Sequence, residues 1–149
     1  MKSKLGKVLL LLGPSGSGKS TIGQLVAQDP NWEHIEEDAY WAKRGWVGLR
    51  TTGQETAIQQ VVFADLHRHI EGGLNVVLDF IIYENPPYPL LAYEKLLKHQ
   101  RIDYSVVALR PSLKSQLSCL DAEQIMQDWV VDTTNLSPDE VAKICVDMT

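Results

Sequence analysis

Residues 13–20, with the sequence GPSGSGKS, have the types and spacing that most directly indicate chemistry. Glycines let backbone N–H groups turn inward and approach phosphate oxygens closely, and a helix that follows aims its N-terminus at the same anion. Lys19 then reaches the terminal phosphates of a nucleotide, and the hydroxyl of Ser20 ligates Mg²⁺. The residues predicted to bind the nucleotide are Gly13, Pro14, Ser15, Gly16, Ser17, Gly18, Lys19, Ser20 and Thr21.

Acidic residues at two predicted strand ends are the next candidates. Asp79 closes the apolar run NVVLD, where a carboxylate is costly without a partner. We expect it to hold Mg²⁺ or to contact substrate; the alternative is a cap on neighbouring backbone. Asp38 follows another strand, whose end faces the ligand crevice of a parallel sheet. We expect Asp38 to bind an acceptor hydroxyl and receive its proton, to serve as a helix N-cap, or both. Glu36 and Glu37 are less specific, and one is expected to be solvated.

Two arginines, Arg44 and Arg50, bracket a short loop that contains Trp46. Guanidinium groups recognise carboxylate and phosphate, so the pair predicts a substrate pocket for an anionic acceptor. The alternative is that both arginines lie on the surface of a loop. Tyr40, Trp41 and Trp46 either line this pocket or pack the loop. None of the four histidines shows a pattern that suggests a role.

Composition limits the class of protein. A chain of 149 residues predicts a single domain over residues 1–149. The balance of 14 Lys and Arg against 19 Asp and Glu, a net charge of −5, disfavours nucleic-acid binding. No apolar stretch is long enough to cross a bilayer. Cys119 and Cys145 form no cluster, which predicts reduced thiols in a cytoplasmic protein.

Alternating apolar runs and amphipathic segments must position these side chains. Strands are predicted at residues 5–12, 32–37, 74–82, 104–109 and 128–132. Helices are predicted at residues 20–28, within 38–49, at 52–70, 90–99 and 111–127, and after Ser137. This alternation predicts a three-layer α/β domain, a parallel sheet with helices on both faces.

Five segments together resemble the P-loop small-molecule kinases, most closely the shikimate/gluconate kinase-like and chloramphenicol phosphotransferase-like groups. They are residues 13–20, 35–40, 75–79, 106–112 and 132–140. The resemblance implies a P-loop NTPase fold with five strands in the order 2-3-1-4-5. It also implies ATP and Mg²⁺ as cofactors, and transfer of the γ-phosphoryl group to a hydroxyl of a small molecule. In this resemblance Asp38 matches the acid that binds the acceptor.

The chain departs from these kinases where they insert a lid that carries arginines. Arg110 is followed by residues 111–127, which contain one basic residue, Lys114, and no arginine. Fewer cations weaken the stabilisation of transferred charge, and an open site admits water. We expect Arg110 to take part in catalysis, with residues 83–89 or a second copy of the chain in a homodimer as further sources of a lid. A small-molecule kinase, a degenerate kinase that binds nucleotide or hydrolyses it slowly, and a nucleoside-monophosphate kinase all remain open.

Overall fold

The computed structural model describes residues 4–13, 18–46, 51–81, 88–110, 129–132 and 136–149. Within these ranges, strands and helices alternate along the chain, as the apolar patterning predicts. The strands are β1 (Val8–Leu12), β2 (Trp32–Glu36), β3 (Asn75–Phe80), β4 (Tyr104–Arg110) and β5 (Trp129–Asp132). The helices are α1 (Lys19–Val26), α2 (Glu37–Lys43), α3 (Thr52–Glu71), α4 (Tyr88–His99) and α5 (Pro138–Asp147).

The strands form a parallel sheet centred on β1. β1 pairs with β3 on one side and with β4 on the other, and β2 pairs with the outer edge of β3. The short β5 pairs with β4, so the order is β2-β3-β1-β4-β5. All residues of β1 are buried, because helices cover both faces of the sheet and a central parallel strand must be apolar on each. The predicted α/β class with a parallel sheet is confirmed.

Two apolar cores lie on opposite faces of this sheet. Side chains alternate between the faces along each strand, so Leu10 and Leu12 of β1 pack with α2, α3 and α4. Leu9 and Leu11 pack with α1 and α5 on the other face, which we call the α1 face. Each fully buried leucine contributes about 2 kcal/mol through removal of apolar surface from water. The α1 face is the one that carries the candidate phosphate site.

Hydrogen bonds between side chains and the backbone define where α3 and α5 begin. The Thr51 hydroxyl accepts from the Gln54 N–H group at 3.1 Å, and the Gln54 side chain accepts from the Thr51 N–H group, a reciprocal cap for α3. The Ser137 hydroxyl accepts from the N–H group of Glu140 at 3.2 Å and caps α5. The predicted start of α5 is confirmed.

Several boundaries differ from those predicted. β3 is shorter at both ends than the predicted strand at 74–82, and the ring of Phe80 at its end packs in the apolar core, 5.1 Å from the Tyr93 ring. α2 begins one residue before Asp38, and α4 begins at Tyr88. The predicted helix at 111–127 lies outside the described residues, as do Cys119 and the segment 82–87.

Cys145 is a free, buried thiol on α5, as predicted. Burial raises its pKa to about 11. None of the helices in the described ranges combines the length and apolar character that a bilayer crossing requires.

Candidate functional site

The candidate phosphate site begins where β1 ends. Gly13 is buried directly after β1, and Gly18 is the N-cap of α1 with φ 87°. Only glycine adopts this left-handed conformation without strain, so the turn requires the residue that the motif supplies. The free N–H groups of the first turn give the N-terminus of α1 a partial positive charge suited to an anion. Residues 14–17 lie outside the described part of the chain.

The first turn of α1 carries Lys19, Ser20 and Thr21. Lys19 is 6% exposed, so its ammonium group lies in a largely desolvated environment. The hydroxyl of Ser20 donates a hydrogen bond to Oε1 of Glu36 at 2.8 Å. Thr21 is exposed. The structure therefore joins the start of α1 to the end of β2.

Glu36 is a site residue that sequence reasoning missed. Trp32, His34 and Glu36 share the α1 face of β2, because alternate residues of a strand point to the same side. This period of two, counted back from Glu36 to the buried Trp32, is the signal that could have found it. The expectation that Glu36 or Glu37 is simply solvated is wrong: Glu36 binds Ser20, and Glu37 is 4% exposed.

Asp79 lies beside Glu36 in the sheet, since the two are register partners on β3 and β2. Asp79 is 3% exposed, and its Oδ2 makes a hydrogen bond with Nε2 of His34. An ionised carboxylate only accepts, so Nε2 is then the donor. The partner that a buried acid needs is therefore His34, a residue for which the sequence pattern suggested no role.

On the opposite face of the sheet, Glu37 is the first residue of α2 and is buried. The Trp41 Nε1–H group donates to Oε1 of Glu37 at 3.3 Å. Burial raises the pKa of the Tyr93 hydroxyl well above its usual value, and the negative charge of Glu37 raises it further. The side chains of Glu37, Trp41 and Tyr93 thus form a buried polar group inside an apolar core.

Asp38 lies in the first turn of α2 and is partly exposed. The N-cap of this helix is Glu36, whose side chain makes no capping hydrogen bond. The alternative that Asp38 is the N-cap is therefore wrong. A carboxylate in this turn is favoured by the partial positive charge of the helix N-terminus.

The aromatic residues Tyr40, Trp41 and Trp46, near the predicted acceptor pocket, mainly make packing contacts. Trp41 is buried, and the Trp46 ring meets it edge-on with centroids 5.8 Å apart. The Tyr40 hydroxyl donates to Asp65 on α3 at 2.6 Å. Arg44 is exposed, with its guanidinium carbon 5.4 Å from the Trp46 ring centroid, a cation–π distance.

Two predicted arginines cannot be placed as side chains. Arg50 lies outside the described residues. Arg110 ends β4 beside Asp132 of β5, but only its backbone is described. The lid segment 111–127 also lies outside the described ranges.

The oxygen atoms of Ser20 and Glu36 at the start of α1 are of the type that Mg²⁺ binds. Octahedral Mg²⁺ binds oxygens at 2.0–2.1 Å, which sets neighbouring ligand oxygens about 2.9 Å apart. Ser20 Oγ and Glu36 Oε1 lie 2.8 Å apart. Among the described residues, no three or more His, Cys, Asp or Glu side chains are grouped to hold a metal. A site of one or two protein oxygens completed by nucleotide phosphates and water is the usual Mg²⁺ arrangement.

A family model described as "AAA domain" matches residues 8–146. No curated protein matches the sequence. Similar solved structures include the APS kinase of Mycobacterium tuberculosis in complex with AMPPNP and APS, at 17% identity and a TM-score of 0.68, covering 97% of each chain. The Deinococcus radiodurans tunicamycin resistance protein is 16% identical with a TM-score of 0.73, covering 95% of this chain and 94% of that chain. A gluconokinase from Sinorhizobium meliloti is 17% identical with a TM-score of 0.62, covering 98% of this chain and 92% of that chain. The resemblance stated from the sequence is confirmed at the level of the fold.

Proposed function

This chain belongs to the AAA domain family and has the fold of the P-loop small-molecule kinases; on that premise we propose that it is an ATP-dependent phosphotransferase. In this proposal it transfers the γ-phosphoryl group to a hydroxyl of a small molecule. The observation that carries the proposal is the hydrogen bond between Ser20 and Glu36 at the start of α1. It places two hard oxygen atoms beside a helix N-terminus suited to phosphate.

Residues 13–21 hold the phosphates of ATP in this proposal. The loop N–H groups donate hydrogen bonds to the phosphate oxygens, and Lys19 neutralises charge on the β- and γ-phosphates. Ser20 and Glu36 would hold Mg²⁺ directly, and Asp79 would hold it through water. When bound, the ion would supply positive charge that stabilises the phosphates during transfer.

The hydroxyl of the acceptor molecule is the nucleophile in this proposal. The acceptor oxygen forms a bond to the γ-phosphorus while the bond to the leaving oxygen of ADP breaks, and the hydroxyl proton passes to Asp38. Arg44 and Arg50 bind a carboxylate or phosphate on the acceptor, and Asp79 borders its pocket. Arg110 stabilises the transferred charge.

The ligands and activities of similar proteins support the proposed substrate class. The APS kinase structure contains AMPPNP and APS, and another similar structure is described as a gluconokinase. AMPPNP is an ATP analogue, and APS and gluconate are small anions with hydroxyl groups. An anionic acceptor of this kind is also what the arginines at 44 and 50 favour.

We propose a cytoplasmic site of action, which the free thiol of Cys145 supports. A homodimer is proposed as one source of a lid. The proposal involves neither nucleic acid nor membrane, since the net charge of −5 disfavours both phosphate backbones and anionic lipid surfaces.

A nucleotide-binding module with slow hydrolysis is the second candidate. The single basic residue among residues 111–127, Lys114, favours it, because these kinases usually clamp the phosphates with arginines there. In that case ADP release would not depend on any acceptor.

An acceptor screen tests the proposal. Purified protein is incubated with Mg·ATP and a panel of hydroxyl metabolites, aminoglycosides and nucleotides, and ADP release is measured. Lys19→Ala is expected to abolish nucleotide binding, while Asp38→Ala retains binding and loses acceptor-dependent release. Lys143→Ala and Asp139→Ala are matched controls, since both residues are exposed and Asp139 also lies in the first turn of a helix. Equal acceptor-dependent release from wild type and Asp38→Ala would refute the proposed mechanism.

A further inference from the structure

Three residues from three different elements lie close together where α1 packs on the sheet. Gly23 lies on α1, His34 on β2 and Asp79 on β3. A Cβ atom at position 23 would lie 2.4 Å from Nε2 and 2.5 Å from Cδ2 of His34. Glycine within a helix costs roughly 0.5–1 kcal/mol relative to alanine. The absence of a side chain at Gly23 is what lets the His34 ring lie against the helix.

The His34 ring is enclosed on both sides. Its side chain is 11% exposed, and that of Asp79 is 4% exposed. The helix lies above the ring at Gly23, and the ring nitrogen bonds Oδ2 of Asp79. A carboxylate whose one oxygen is held by a fixed ring has lost its freedom to rotate. Its second oxygen keeps its own lone pairs for another partner.

Asp79 is also the register partner of Glu36, whose carboxylate accepts from Ser20. The two acids lie on neighbouring strands and share the α1 face. The carboxylate of Asp79 therefore lies on the strand next to the carboxylate that binds Ser20 at the start of α1. His34 contacts Asp79 from β2, where it lies two residues before Glu36.

We propose that His34 is a positioning residue for the Mg·ATP site. It fixes the carboxylate of Asp79, so that the oxygens of Asp79, Glu36 and Ser20 are arranged before the ligand arrives. His34 itself touches neither the ion nor the nucleotide. Partners that orient metal-binding side chains in this way are worth about 10- to 100-fold in metal affinity. The inference rests on the proposed function for its ligand.

Two substitutions separate positioning from simple filling of space. His34→Gln keeps an N–H donor that can reach Asp79, whereas His34→Leu keeps volume without a donor. His99→Leu is the control, because His99 is exposed at the end of α4. Binding of a fluorescent ATP analogue is titrated with Mg²⁺ for each purified protein, and thermal unfolding is recorded without metal or nucleotide.

We expect His34→Leu to raise the Mg²⁺ concentration for half-maximal binding about tenfold, with binding of metal-free nucleotide unchanged. His34→Gln should remain within about twofold of wild type, because the hydrogen bond is retained. The same titration midpoint for His34→Leu and wild type would overturn the inference. Equal impairment of the leucine and glutamine variants would overturn it too, since that is the result of a purely structural role.

A spectroscopic measurement does not depend on the leucine variant folding. In the intact protein, NMR of the imidazole nitrogens should show His34 with its proton on Nε2, protected from exchange, and the signal is assigned by its loss in His34→Gln. A rapidly exchanging Nε2 proton would overturn the inference. If wild type binds no Mg·ATP, the proposed function fails along with this inference. If wild type binds and His34→Leu is unaffected, only the inference fails.

Discussion

Replacing Gly23 with alanine should destabilise this protein, although alanine is the better helix former. At an open helical position the change stabilises by roughly 0.5–1 kcal/mol. Here the new Cβ atom would lie 2.4 Å from Nε2 of His34, and Asp79 prevents the ring from simply retreating. Overpacking of this kind costs about 1–3 kcal/mol, and disturbing a hydrogen bond to a charged group costs about 1.5–3 kcal/mol.

With both costs at the low ends of their ranges, the net expectation is a loss of about 2 kcal/mol in the free energy of unfolding, after the gain in helix propensity is subtracted. For a chain of this size that lowers the melting temperature by about 4–8 °C. His34→Ala removes the ring, so Gly23→Ala should become neutral or stabilising by up to about 1 kcal/mol in that background. The coupling between the two changes is then about 2–3 kcal/mol.

Urea denaturation of wild type, both single variants and the double variant measures this coupling. Gly53→Ala is the matched control, because Gly53 is also helical and its added Cβ would have no atom within 4 Å. We expect Gly53→Ala to stabilise. The reasoning is refuted if Gly23→Ala stabilises wild type as much as Gly53→Ala does, or if the coupling is near zero.

Three further predictions concern separate parts of the molecule. Ser20→Ala and Glu36→Gln should each weaken Mg²⁺-dependent nucleotide binding about tenfold, measured by calorimetry, and equal binding with and without Mg²⁺ in wild type would contradict this. Tyr40→Phe removes the hydrogen bond to Asp65 and should cost about 1 kcal/mol in urea denaturation, with nucleotide affinity unchanged. Because burial raises the pKa of Cys145 from 9.0 to about 11, the folded state holds this proton more tightly, and stability should fall as pH rises between these values. Cys145→Ala should lose less stability over the same interval, and equal slopes would contradict the assignment.

Local patterns in the sequence predict much of the fold. The apolar run of β1 predicts a central strand because every side chain in it must avoid water on both faces. The cap at Ser137 predicts the start of α5 because its partner lies three residues away. Residues 13–20 predict a phosphate site because the contacts that the loop makes are set by its own backbone and the helix that follows it.

The same local reasoning failed where contacts join distant segments. Glu36 looked unspecific because its partner Ser20 is 16 residues away, on the other side of a turn. Tyr40 and Trp41 remained ambiguous because packing and pocket lining use the same residue types. The structure assigns Tyr40 to a hydrogen bond with α3 and Trp41 to the core.

The sequence alone determined the α/β class and the starts of α3 and α5, because each depends on periodicity or on contacts within one turn, and for the same reason it predicts the phosphate loop. Only the tertiary structure decided which acids share the site. His34 and Asp79 are separated by 45 residues and meet because β2 and β3 are neighbours in register. The role of Gly23 is visible only when α1 is packed over that pair. A glycine within a helix is destabilising by itself, but here its missing side chain leaves the space that the His34 ring occupies.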